Sequence, residues 1–216
     1  MIITFKIQQK MIKKKILAGA LAAAVVTTSL PGMGVPVFAA DSFLTPDSNC
    51  YTTDNPFAFP TEAGEVQTLQ AERATTLYNK ESNDGGYPMK ILTNNDRTYV
   101  KDMLKNGDYA TYAYTAEAGL YLVTAHYYCG GNNTMILSDA GTKNNNVNTV
   151  LMSVGTTNSQ WKTKQFLLKI NNTGAGTLKI ASTNEDAPYL DKLEITKMEM
   201  QKYEGENRFE FPIELN

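Results

Sequence analysis

The stretch NGDYATYAYTAEAGLYLVTAHYYCGG, from Asn106 to Gly131, restricts the fold more than any other part of the chain. Two runs rich in β-branched and aromatic residues flank Glu117-Ala118-Gly119, which is the pattern of a β-hairpin. Alternation puts Tyr112, Tyr114 and Ala116 on one face of the first strand and Thr111 and Ala113 on the other. In the second strand it separates Tyr121, Val123, Ala125 and Tyr127 from Leu122, Thr124 and His126. Neither face is plainly polar, so a second sheet must cover the hairpin.

Strand-like runs recur on both sides of it: Val66 to Thr75, Thr98 to Leu104, Tyr109 to Ala116, Leu120 to Tyr128, Asn133 to Ser138, Val147 to Val154, Trp161 to Ile170, Thr177 to Ser182 and Tyr189 to Lys197. Turn-forming clusters lie between them, at Gly85-Gly86, Gly130 to Asn133, Asn144 to Asn146 and Asn171 to Gly176. No long segment has a helical period. The expectation is an all-β protein, a two-sheet β-sandwich or jelly roll of about nine strands.

The chain divides into stretches of different character. Lys13, Lys14 and Lys15 precede an apolar run from Ile16 to Val26, followed by Pro31, Gly32, Gly34 and the small-residue site Val37-Phe38-Ala39. Residues 1–39 therefore read as a signal peptide cleaved after Ala39 or Ala40, with Met11 a more conventional start for it than Met1. The apolar run is about half of the ~20 residues that span a bilayer, so no membrane insertion is expected and the mature protein is expected outside the cell. Residues 40–65, rich in Pro, Asn, Asp, Ser and Thr, read as an irregular leader with Phe43, Phe57 and Phe59 on the domain surface. The sandwich is expected over 66–198. Residues 199–216 read as a tail that is either an extra edge strand or a loose end. Cys50 and Cys129 fit equally a single disulfide or two separate thiols.

A formal net charge of -2 argues against a polyanion partner such as nucleic acid. Catalytic signals are weak. His126 is the only histidine, it lies mid-strand, and no GxSxG nucleophile motif accompanies it, so it reads as structural. A zinc hydrolase of the HExxH kind is excluded. Gln70 and Glu72 alternate on the first strand and Asp191 lies on the last, so their oxygens could converge on a hard cation or be solvated and hydrogen-bonded side chains. With 12 Tyr, 8 Phe and one Trp there are rings enough to stack on sugars, although most aromatic residues pack.

The series Gln70-Ala71-Glu72, Tyr99-Val100, Asn106-Gly107-Asp108-Tyr109, Tyr112, Gly119-Leu120-Tyr121, Trp161 and Leu190-Asp191-Lys192-Leu193-Glu194-Ile195 resembles the carbohydrate-binding modules of families 6 and 35. The resemblance covers about Val66 to Lys197. It implies a galactose-binding-domain-like jelly roll of bacterial style that binds a polysaccharide or other glycan without cleaving it. It also implies a structural Ca²⁺ held by Gln70, Glu72 and Asp191. Such modules are usually joined to a glycoside hydrolase, so this chain is expected either to act alone at a surface or to work with a separate glycoside hydrolase or cell-surface partner. The family's sugar site implies Tyr99 as a stacking ring. This chain departs at the other sugar positions, with Asn158 three residues before Trp161 and Tyr189 directly before Leu190-Asp191. Asn158 and Tyr189 are therefore expected to have exchanged roles, the tyrosine supplying a ring and the asparagine an amide, with Trp161 in the core. The same departures allow a structural or adhesion module that has lost sugar binding. A small glycan-degrading enzyme, the least expected reading, would need an acid and a base or nucleophile about 5 to 10 Å apart across a groove.

Overall fold

The structure is a computed structural model that describes residues 42–44, 49–80, 88–104, 107–140, 146–199, 201–202 and 209–210, with side chains described between 49 and 199. The expected signal peptide, the Gly85-Gly86 turn, Asn106 and the side chains of the tail beyond Glu199 lie outside the described residues.

The strands are β1 (Ser42–Leu44), β2 (Phe57–Ala58), β3 (Val66–Gln70), β4 (Thr76–Asn79), β5 (Lys90–Asn94), β6 (Arg97–Lys101), β7 (Tyr109–Ala116), β8 (Gly119–Tyr128), β9 (Asn133–Asp139), β10 (Val150–Val154), β11 (Lys162–Ile170), β12 (Gly174–Ser182), β13 (Tyr189–Lys197), β14 (Gln201–Lys202) and β15 (Phe209–Glu210). A single 3-10 turn, Ala71–Arg73, separates β3 from β4. The first sheet runs β1-β4-β7-β12-β9-β10, and β2 lies parallel to β7. The second runs β11-β8-β13-β6-β5, with β3 also on β13. They form the expected two-sheet sandwich. In the tail, β14 and β15 pair with each other.

The central hairpin joins the sheets, β7 lying in the first and β8 in the second. Its tyrosines Tyr112, Tyr114, Tyr121 and Tyr127 are buried between the layers with Leu69, Leu178, Leu193 and Ile195. Buried hydroxyls must be satisfied. Tyr112 Oη donates to the Ala71 carbonyl at 2.9 Å, Tyr121 Oη donates to the Glu117 carbonyl at 2.8 Å, and Tyr114 Oη receives Asn146 Nδ2 at 3.0 Å. Gly176 lies against Tyr114, where an added Cβ would stand 2.4 Å from the hydroxyl.

Phe57 and Phe59 belong to this core, which corrects the expectation that they lie on the surface; the Phe43 side chain lies outside the described residues. Phe57 is 5% exposed and Phe59 3%, and they pack edge to face with each other and with Tyr51 and Tyr121. One edge of β7 is taken by β12 along its length, which leaves the other to β4 at Tyr109 to Thr111 and to β2 at Tyr114 and Thr115. The run Val66 to Thr75 is likewise no single strand, because the 3-10 turn breaks it. Cys50 and Cys129 are both free thiols, so the separate-thiol alternative holds.

Asp108 of the Gly107-Asp108 pair is fully buried and ties three segments together. Its carboxylate accepts the amides of Lys80 at 2.8 Å and Leu104 at 2.9 Å, and its carbonyl accepts that of Ser182 at 3.1 Å. This ties Leu104, after β6, to Lys80, after β4, and to Ser182 at the end of β12.

Candidate functional site

The outer face of the second sheet carries an aromatic cluster, and alternation explains its composition. Leu190, Leu193 and Ile195 on β13 point inward; Lys192 and Glu194 alternate outward, and the register slip between Leu190 and Lys192 puts Tyr189 on the outer face with them. On β8 the inward Val123, Ala125 and Tyr127 leave Thr124, His126 and Tyr128 outward. On β6 the inward Val100 leaves Arg97, Tyr99 and Lys101 outward. Tyr189 pairs with Tyr128 in register. Its ring lies nearly parallel to both flanking tyrosines, 6.0 Å from Tyr99 at 16° and 5.7 Å from Tyr128 at 25°. Trp161 completes the cluster, 5.2 Å from Tyr99 edge-on and 5.9 Å from Tyr128. All of these rings are half-buried.

Local turns set the positions. The β5–β6 hairpin closes through Asn95 (φ 50) and Asp96 (φ 63), both in the left-handed region that a tight primed turn requires and that Asn and Asp tolerate. Arg97 and Tyr99 follow at once. Before Trp161 a second turn of this kind uses Asn158 (φ 53) and Ser159 (φ 62), closed by the Gln160 amide on the Thr157 carbonyl at 3.2 Å. Thr157, itself buried, is stitched to the end of β8: its Oγ1 donates to the Cys129 carbonyl at 3.0 Å and accepts the Cys129 amide at 3.3 Å.

Tyr189 is also held by its hydroxyl, which donates to Asp102 Oδ1 at 3.3 Å. Lys101 and Lys90 approach Asp102 Oδ2 at 3.0 and 3.7 Å, and Lys101 Nζ lies 5.2 Å from the Tyr189 ring centre. Burial pushes the Tyr189 hydroxyl pKa up, and the Asp102 hydrogen bond raises that of Lys101. A cavity of about 340 Å³ opens beside Tyr128 and Tyr189 at the loop end, lined also by Asp102, Gly130, Asn132 and Asp186.

A larger cavity of about 590 Å³ lies farther along the same face. Gln70, Glu72 and Asp191 line it together with Asn95, Asp96, Arg97, Thr98, His126 and Lys192. Asp191 enters it because β13 changes neighbours there, from β6 at Leu190 to β3 at Lys192, and the pairing with β8 slips by a residue between them. Such a bulge re-aims one side chain. Asp191 is buried and its Oδ2 accepts from Arg97 Nη1 at 2.7 Å. The guanidinium carbon of Arg97 also lies 5.3 Å from the Trp161 ring centre. Nearby, Glu194 receives Lys192 Nζ at 2.7 Å and His126 Nε2 lies 3.1 Å from its other oxygen, contacts that lower the Glu194 pKa, Lys192 having the larger effect.

The chain is similar to carbohydrate-binding modules. It is 20% identical to a family 35 carbohydrate-binding module from Clostridium thermocellum, over 61% of this chain and 97% of that one, with a TM-score of 0.47. A family 6 module from the Cellvibrio mixtus lichenase 5A, solved with cellotriose, is 18% identical over 62% of this chain and 98% of that one, with a TM-score of 0.48. The Podospora anserina GH26-CBM35 β-(1,4)-mannanase is 19% identical over 65% of this chain and 29% of its own, with a TM-score of 0.47. No protein-family model matches the chain, and no curated protein matches it by sequence.

The sequence-predicted residues fall into two groups. Tyr99 and Tyr189 meet on the outer face, and Gln70, Glu72 and Asp191 line one cavity. Asn158 stands exposed in the turn before Trp161 and lines neither cavity. Trp161 is not in the core as expected but on the outer face against Tyr99 and Tyr128. Tyr128 and Arg97 were missed. Alternation through His126 carries the signal for Tyr128, whereas nothing local in the sequence announces Arg97.

Among the described residues no three His, Cys, Asp or Glu side chains group to hold a metal. The donors available in the large cavity are the Gln70 amide and the Glu72 and Asp191 carboxylates, all oxygen donors of the type a hard cation takes. The donor chemistry fits calcium, with Arg97 competing for one Asp191 oxygen. No helix among the described residues is long and apolar enough to cross a membrane.

Proposed function

We propose that the protein is a secreted, non-catalytic glycan-binding module that uses the outer face of the second sheet. The observation that carries this reading is the set of half-buried rings of Tyr99, Tyr128, Trp161 and Tyr189 on a solvent-facing sheet surface, edged by Arg97, Lys101 and Asp102. Rings offer the apolar C–H faces of a sugar a flat partner, and the charged rim can take its hydroxyls. The carboxylates beside the rings are engaged by cations, Asp102 by Lys90 and Lys101 and Asp191 by Arg97. That suits positioning better than acid–base chemistry on a glycosidic bond, which requires a matched carboxyl pair across a groove. Gln70, Glu72 and Asp191 would hold a Ca²⁺ ion, which would supply charge neutralisation and a tie between β3, β13 and the 3-10 turn. A separate glycoside hydrolase or a cell surface fits as the partner of such a module.

A polysaccharide array with and without chelator tests ligand class and cation dependence together. Binding by the wild type that is lost in Tyr99→Ala and Tyr189→Ala is the expected result. Array binding that survives both substitutions moves the site elsewhere. The second reading, a structural or adhesion module, draws on the packing of Tyr189 between two tyrosines with its hydroxyl tied to Asp102. A silent array with a stable fold favours it.

A further inference from the structure

The oxygen-lined cavity and the aromatic face meet at one side chain. Arg97 donates from Nη1 to Asp191 Oδ2 at 2.7 Å, while its guanidinium carbon lies 5.3 Å from the centre of the Trp161 ring. Trp161 stands edge-on to Tyr99 at 5.2 Å, so the contact continues into the proposed platform. The two ends of the ion pair differ in exposure. The Asp191 side chain is 9% exposed and anchored at the β13 bulge, whereas that of Arg97 is 42% exposed at the start of β6, directly after the hairpin turn. A planar guanidinium is suited to this double duty, since it hydrogen-bonds a carboxylate in its plane and stacks on an indole with its face.

We propose that Arg97 couples cation occupancy of the cavity to the placement of Trp161, so that calcium and glycan influence each other's binding. The inference rests on the reading of calcium at Gln70, Glu72 and Asp191. A carboxylate that also serves a divalent cation holds a neighbouring guanidinium less strongly, because its charge is shared and the two cations repel. Arg97 then resets against the indole, and Trp161 moves with it. Coupling between binding sites is reciprocal, so a ligand that fixes Trp161 changes calcium affinity by the same factor.

Trp161 is the only tryptophan in the chain, so intrinsic emission reports its surroundings without a label. Calcium is titrated into the chelator-treated full chain and followed by fluorescence and, in parallel, by calorimetry, for the wild type, Arg97→Ala and Arg97→Lys. The expected result is a saturable change in wild-type emission at the calcium concentration that calorimetry gives. The change is absent in Arg97→Ala, which binds calcium about fivefold or more tightly because a competing cation is gone. Arg97→Lys keeps a charge near Asp191 without the planar face, and its emission responds weakly. Heat of binding with a silent wild-type emission, or an emission change that persists in Arg97→Ala, overturns the coupling and leaves the calcium reading standing. No heat of binding in the wild type overturns the calcium reading, and the coupling with it.

Discussion

The rings of Tyr99 and Trp161 meet edge to face, 5.2 Å apart at 67°, although β6 and β11 are separated by β13 and β8 in the sheet. The two rings therefore meet across the intervening strands, and the indole also lies 5.9 Å from Tyr128. In the proposed glycan site it would form one wall. Trp161→Ala should weaken glycan binding by about tenfold or more, the loss of one large stacking surface, while the melting temperature changes little. Calorimetry with the best array ligand, beside a thermal melt, checks both parts.

Calcium should raise stability if it binds only the folded state. At a concentration about a hundredfold above Kd the gain is about 2.7 kcal/mol, so chelation should lower Tm by about 5–10 °C. Glu72→Gln and Asp191→Asn should melt at the same temperature with and without chelator. A wild-type melt indifferent to chelator removes the ion from the site.

Gly176→Ala should destabilise the sandwich by roughly 1–3 kcal/mol, because the new methyl group meets the Tyr114 hydroxyl in a core with no room to retreat. Denaturant unfolding measures this. Burial raises the pKa of Tyr114 to about 12, so the hydroxyl stays protonated throughout the usable pH range.

Acid should loosen the sheet through Glu194. Its pKa is lowered from 4.5 by the Lys192 hydrogen bond and then by His126, so the folded state binds the proton more weakly than the unfolded one. The stabilisation is present above pH 4.5 and is lost as pH falls through the lower folded value. Glu194→Gln should accordingly show a flatter fall in Tm between pH 5 and pH 3 than the wild type. Equal slopes would remove Glu194 from the acid response.

The thiols should differ in reactivity. Cys50 is partly exposed, whereas Cys129 is buried, its pKa is raised by that burial, and it donates to the Gly155 carbonyl at 2.9 Å. A thiol reagent should modify Cys50 in the native protein and Cys129 only after unfolding. Mass spectrometry of the labelled peptides decides it.

Much of the architecture was legible because the long strands alternate cleanly. Tyr189–Lys197 was expected and found with the same bounds, and Tyr109–Ala116 likewise. The Phe57 and Phe59 segment was not, since a two-residue strand among Pro, Asn and Thr has no periodicity to read; its aromatic burial is decided by the free half of the β7 edge. Lys90–Asn94 escaped notice because it is mostly polar and pairs through Asn95-Asp96 with a strand that itself begins in charge. At the site, the oxygen set came from a sequence series, but its meeting with Arg97 depends on a hairpin and a bulge brought together by folding. Trp161 was misplaced for a related reason. An aromatic residue starting a strand usually packs inward, and only the Thr157–Cys129 stitch and the left-handed Asn158-Ser159 turn set it on the outer face.

Tyr189 is gripped on its ring by Tyr99 and Tyr128 and at its hydroxyl by Asp102, and this governs the timing of any encounter. A ligand arriving at that surface finds a rotamer already chosen, so little ordering entropy opposes association and no rearrangement gates arrival. The same open, preset face gives a bound chain nothing to close over it. Residence should be brief, and a long polymer offering many equivalent contacts would be held by rebinding along its length.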